Sequence, residues 1–212
     1  LYYCPSLENF TFHSFVESFP SIAKFAVTPH VFSRIAYRDN HQGLIATAKM
    51  KNHSLESLSP VNNPLYLVVE KVEKPGNLGA LLRTADAAGV DAVFVCDNQT
   101  ELYNPNVVRS SLGCLFSNRL IISDSEETIA FFKKNKVKIL SAALQDSKVY
   151  TDISFRGSTA IVLGSEAQGL SETWRENAEH IVRIPMRGIA DSLNVSVSAA
   201  ILIFEAKRQR SE

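Results

Sequence analysis

The strongest constraint on the fold lies in residues 65–97. There an apolar run, LYLVVEKV (65–72), is followed by the glycine-bearing stretch KPGNLGALLRTADAAGV (74–90) and a second apolar run, DAVFVCD (91–97). Both apolar runs have the length and β-branched content of buried strands, and the stretch between them has the length of a helix. A strand, a glycine turn, a helix and a strand are the opening of an α/β arrangement and hint at a nucleotide-binding fold. Arg83 stands out in it, because its neighbours in the helix are small or apolar.

The alternation continues along the chain. YNPNVVRSSLG (103–113) reads as a helix, with Asn104 as N-cap, Pro105 at the first position and Gly113 as its C-terminal stop. SEETIAFFKKNK (125–136) opens with Ser125 and acidic residues and closes in lysines, as a helix dipole prefers. VKILSAAL, STAIVLG and HIVRIPM are apolar runs of strand length. The chain ends in LNVSVSAAILIFEAKRQR (193–210), where Leu193, Val197, Ala200, Ile201 and Phe204 share a face at helical spacing; core or a dimer interface is the expected use of that face. Strands alternating with helices predict an α/β domain with a mainly parallel sheet and helices on both faces.

Residues 1–51 have a different texture. They are rich in aromatics, among them Tyr2, Tyr3, Phe10, Phe12, Phe15, Phe25, Phe32 and Tyr37, and carry five basic against three acidic residues. Some 50 residues rarely make a core alone, and the chain starts at Leu1 rather than Met. We therefore expect the tail of a small α/β domain, then a linker at 52–64 and the main domain over 65–212.

Charge and composition exclude several classes. The 22 basic and 22 acidic residues balance, so nucleic acid could be held only through local patches. The three cysteines, Cys4, Cys96 and Cys114, and the five histidines are scattered, which argues for reduced thiols and against a metal site. No apolar run approaches the roughly 18 residues of a membrane span. The expected setting is the cytoplasm.

Three polar clusters follow predicted strands, the position where parallel α/β sheets bind ligands. In the first, Pro75 and Gly76 make a turn, Asn77 can cap the helix, and Arg83 follows. Arg83 is either a surface arginine paired with an acid or a planar fork aimed at phosphate. The stretch has no G-x-G-x-x-G, which disfavours a dinucleotide oxidoreductase. In the second, IVLGSEAQGLSE (161–172), Glu166 either caps a short helix or orients a polar partner in a ligand loop. In the third, IPMRGIADSLNVSVSAA (184–200), Ser192 or Asn194 can cap the final helix.

Taken in order, N-x-G-A-x-x-R-T-A, V-L-G-S-E-x-x-G-L and I-P-M…S-L-N-V-S-V-S-A-A resemble the three signature motifs of the SpoU family of RNA ribose 2'-O-methyltransferases, within the SPOUT superfamily. YNPNVVRSSLGCLF is similar to the family's connecting segment, and the likeness spans residues 65–208. It implies a C-terminal deep trefoil knot, a rare exception to the usual connection rules, S-adenosylmethionine as cofactor, structured RNA as substrate and a homodimer. SRIAYRDNHQGLIATAK, in the first region, is similar to the end of a small ribosomal-protein-like RNA-binding domain.

The resemblance implies roles position by position. Asn77, Arg83, Glu166, Ser192 and Asn194 form the catalytic frame. Backbone around Leu144, Gly164, Ile184, Met186 and Leu193 cradles the cofactor. Arg83, Arg109 and Arg187 meet the RNA, with the tail residues Lys207, Arg208 and Arg210 as further candidates. Methyl transfer to a 2'-hydroxyl needs positioning and removal of one proton, and no metal. The family's arginine is often described as a general base, but a guanidinium seldom gives up its proton; fixing the phosphate beside the 2'-hydroxyl suits it better. Ribosomal RNA is the favoured substrate. Transfer RNA, or a non-catalytic RNA-binding relative, are the alternatives.

Overall fold

The computed structural model describes residues 1–7, 17–38, 43–59, 61–165 and 167–211. Glu166, and the aromatic Phe10, Phe12 and Phe15, lie outside the described residues. The chain divides into two compact units, Leu1–Lys51 and Asn52–Glu212.

In the first unit, strand β1 (Tyr2–Tyr3) pairs in parallel with β2 (Phe25–Ala26) and antiparallel with β3 (Leu44–Ile45). Helix α1 (Pro29–Ile35) starts where its sequence says it should. Thr28 stays extended and accepts the Val31 N–H at 3.4 Å, while proline occupies the first helical position, where no N–H is needed.

The second unit is built on strands β4 (Leu65–Glu70), β5 (Ala92–Cys96), β6 (Leu120–Ser123), β7 (Lys138–Ala142), β8 (Lys148–Val149), β9 (Thr159–Leu163) and β10 (His180–Arg183). They form one sheet in the order β6-β5-β4-β9-β7-β10-β8, and every neighbouring pair is parallel. The helices are α2 (Pro75–Ala88), α3 (Pro105–Ser110), α4 (Cys114–Ser117), α5 (Ser125–Lys134), α6 (Glu172–Glu176) and α7 (Val195–Ser211). Strands β6 and β8 are not visible as apolar runs in the sequence, since both are short and flanked by polar residues.

All six residues of β4 are buried, so both of its faces are covered. Leu65, Leu67 and Val69 point into a core shared with Leu78 and Leu82 of α2 and Leu202 and Ile203 of α7. Tyr66 and Val68 point the other way, into a core with Phe132 of α5 and Trp174 of α6. There the Phe94 and Phe132 rings meet edge to face with centroids 4.9 Å apart. Burying one such side chain stabilises the fold by about 1.5–3 kcal/mol.

Helix α2 ends at Gly89, whose φ of 60° is the left-handed conformation of a C-terminal stop. Its Gly79 lies so close to α3 that an added Cβ would fall 1.9 Å from Ser110 Oγ. Several local expectations change. Asn77 does not cap α2, because Pro75 already starts the helix and Lys74 holds the cap position without a side-chain bond. Asp124 rather than Ser125 caps α5, accepting the Glu127 N–H at 2.7 Å. Gly113, with φ 91°, opens α4 instead of closing α3. Residues expected to be linker are tied to the sheet: the His53 carbonyl accepts the Ile122 N–H at 2.7 Å, and its ring bonds Tyr103 Oη at 2.7 Å.

The final helix shows the largest difference. It buries Val195, Ala199, Leu202, Ile203 and Ala206, whereas Val197 and Phe204 of the expected apolar face are 46% and 51% exposed. The helix is apolar on two sides, so periodicity alone does not choose the one that meets the sheet. In its tail, Arg210 is committed to the fold. Arg210 donates to the carbonyls of Phe155, Asn63, Pro64 and Gly157, and burial pushes its pKa down. Arg208 pairs with Glu205 at 2.8 Å. Arg210→Ala would strand those carbonyls, and charge-assisted bonds of this kind are worth about 1.5–3 kcal/mol. A urea titration should show a stability loss of that order; an unchanged midpoint would mean water replaces the guanidinium without cost.

Candidate functional site

Because the sheet is parallel, the loops after β4, β7, β9 and β10 emerge on one side, and the order β4-β9-β7-β10 makes them neighbours. Between them lies a cavity of about 710 Å³, within the range of small-molecule sites. Leu144, Gly164, Ile184, Met186 and Leu193 all line it, together with Ser192 and Asn194. Each follows a strand in the sequence, which is why they converge.

The loop after β9 is held closed by its own backbone. Ser165 and Gly169 form a bridge, the Gly169 N–H donates to the Ser165 carbonyl at 3.0 Å, and Gly169 takes φ 68°. A Cβ on Gly164 would lie 2.2 Å from the Gly169 carbonyl, so only glycine allows this closure. Beyond the loop, the Ser171 N–H donates to Glu70 Oε2 at 2.9 Å. Glu70 is 1% exposed and ends β4, so a buried carboxylate anchors the start of α6. The acid that closes the apolar run LYLVVE is the sequence signal for it.

At the cavity mouth the first and third motifs meet. Asn194 Oδ1 accepts the Ser196 N–H at 2.9 Å and caps α7. Its Nδ2 donates to Asn77 Oδ1 at 3.1 Å. Asn77 thus joins two helices instead of starting one. Ser192 donates to Asp191 Oδ1 at 3.0 Å and caps nothing.

Arg83 does not line the cavity. It is exposed on α2, about 9 Å of helix rise beyond Asn77. Beside it on α4, burial and then Asp86 push the Cys114 thiol up, with the Arg83 charge opposing. Arg109 and Arg187 are exposed as well. Cys96 is no nucleophile: burial raises its thiol to about 12. Among the described residues no group of His, Cys, Asp and Glu could hold a metal, and no helix is long and apolar enough to cross a membrane.

Residues 64–204 match the model of the SpoU rRNA Methylase family. The chain is 34% identical over 177 residues to the 23S rRNA (guanosine-2'-O-)-methyltransferase RlmB of Escherichia coli strain K12, covering 81% of this chain and 73% of that protein. A solved RNA 2'-O ribose methyltransferase superposes with TM-score 0.83 at 39% identity, covering 100% of this chain and 81% of that one. The SpoU methyltransferase AviRb of Streptomyces viridochromogenes, solved in complex with AdoMet, gives TM-score 0.87 at 25% identity, over 98% of this chain and 81% of that one.

Proposed function

The chain belongs to the SpoU rRNA methylase family, and from that membership we propose that it is an S-adenosylmethionine-dependent enzyme that methylates a ribose 2'-hydroxyl in ribosomal RNA. The observation that carries this is the cavity at the strand ends, which gathers residues of the second and third motifs around a glycine-closed loop. The lining suits the cofactor: among the described residues it offers backbone and small side chains from three loops, hydroxyls and amides, the carboxylate of Asp191, and an arginine, Arg175, whose buried Nε has no partner there.

The bound cofactor supplies a methyl group already activated on its sulfonium. The protein is left to position the ribose and assist departure of one proton. In this reading Leu144, Gly164, Ile184, Met186 and Leu193 hold the cofactor. Asn194, bonded to Asn77, keeps the third-motif loop against the helix that carries Arg83. Ser192, and Glu166 by its motif position, complete the polar frame. Arg83, with Arg109 and Arg187, meets the RNA backbone; all three are exposed, as phosphate contacts require.

The wider reading includes the deep trefoil knot over the last part of the sheet, a cytoplasmic setting, and residues 1–51 as the end of an RNA-binding domain. It includes a homodimer too, supported by the exposed Val197 and Phe204 on a helix whose other side already fills the core. Incubation of the protein with labelled S-adenosylmethionine and total RNA, followed by mapping of alkali-resistant linkages, tests the proposal. Label in ribosomal RNA at a single linkage is expected. Label in transfer RNA would favour the alternative substrate, and absence of transfer would overturn the enzymatic reading.

A further inference from the structure

Three cationic side chains line the cavity: Lys74, Arg175 and Arg183. Two of them have settled surroundings. Lys74 is exposed to water, and the Arg183 guanidinium donates to the Ser147 carbonyl and hydroxyl. Arg175 differs. Its Nε is buried and has no hydrogen-bond partner among the described residues. An unpaired buried donor is costly, and a native fold rarely keeps one without a use.

The helix that carries Arg175, α6, is fastened at several points. Trp174, just before Arg175, is fully buried. Its Nε1 donates to Ser125 Oγ at 2.8 Å, and its carbonyl accepts from Ser141 Oγ at 3.1 Å. The start of α6 is tied to Glu70 through the Ser171 N–H. The backbone that carries this guanidinium is therefore fixed at the cavity wall, with the Nε enclosed and unpaired among the described residues.

Resting on the reading of this cavity as the S-adenosylmethionine site, we propose that Arg175 binds the carboxylate of the cofactor's amino-acid tail. Adenine and ribose are neutral, and the sulfonium and ammonium groups are cations that a guanidinium repels. The carboxylate is the one anionic group the cofactor offers, and its geometry matches the arginine fork. Asp191, on the same cavity, supplies the opposite sign for the cationic groups.

Calorimetry with S-adenosylmethionine and its decarboxylated analogue separates this role from a structural one. Arg175→Ala should weaken S-adenosylmethionine by about 10- to 100-fold, the range of a charge-assisted bond, and leave the decarboxylated analogue unchanged. Arg175→Lys should recover part of the loss. Equal weakening of both ligands, or of neither, would overturn the proposal. If the unmodified protein bound neither ligand, the assignment of the cavity would fail instead.

Discussion

Arg83→Ala is expected to slow methyl transfer by about 10²- to 10³-fold, the scale on which one preorganised electrostatic partner acts, while S-adenosylmethionine binds with unchanged affinity. The two halves of the expectation have different origins. Loss of rate follows from the proposed role, in which the Arg83 fork holds the phosphate beside the reacting 2'-hydroxyl. Unchanged affinity follows from position, because Arg83 is exposed on α2 and does not line the cavity. Stability should hardly move, since exposed substitutions away from special features stay within about 0.5 kcal/mol. Arg83→Lys should rescue little, because an ammonium cannot reproduce two parallel N–H bonds. Single-turnover transfer and calorimetry on the same preparations check both halves. Full activity in Arg83→Ala would remove the residue from its role.

What could be read from the sequence depended on how local each cause is. The parallel sheet follows from strands and helices alternating along the chain, and a loop after a parallel strand opens toward the same side as its neighbours. That shared side is legible locally, whereas Leu144, Gly164, Ile184 and Met186 are singled out only by what the family resemblance implies; the parallel sheet is the physical reason they meet on one cavity. Relations between distant residues carry no such local mark. Asn77 looks like a helix cap because asparagine near a turn usually is one; its actual partner, Asn194, is 117 positions away. Glu70 and Ser171 are 101 apart, and Arg210 reaches Asn63 across 147. Arg175 has no sequence signal at all. Only the burial of its Nε and the fastening of Trp174 distinguish it from a solvated surface arginine. The packing side of α7 is illegible for a related reason: a helix with apolar residues on two sides leaves the choice to the sheet it packs on. Of the two uses expected for the Val197 and Phe204 side, core is ruled out by its exposure and a dimer interface stays open.

Gly164→Ala should do the greatest damage to cofactor binding for the smallest chemical change. The added Cβ would sit 2.2 Å from the Gly169 carbonyl carbon and oxygen and 2.3 Å from the Leu170 nitrogen. All three are backbone atoms, so no side-chain rotation relieves the clash, and the loop must open. Overpacking of this kind costs about 1–3 kcal/mol, which lowers Tm by roughly 2–4 °C for each kcal/mol in a chain of this size. The larger consequence is geometric. Opening the Ser165–Gly169 bridge moves the wall of the cavity, and affinity for S-adenosylmethionine should fall by at least about tenfold, the equivalent of 1.4 kcal/mol. Gly76→Ala is the matched control, because a Cβ there meets nothing within 4 Å and alanine suits a helix better than glycine. That variant should bind the cofactor normally with equal or slightly higher stability. Normal cofactor affinity in Gly164→Ala, alongside a lowered Tm, would mean that the closed loop serves the fold and that the cofactor is held by the other strand ends.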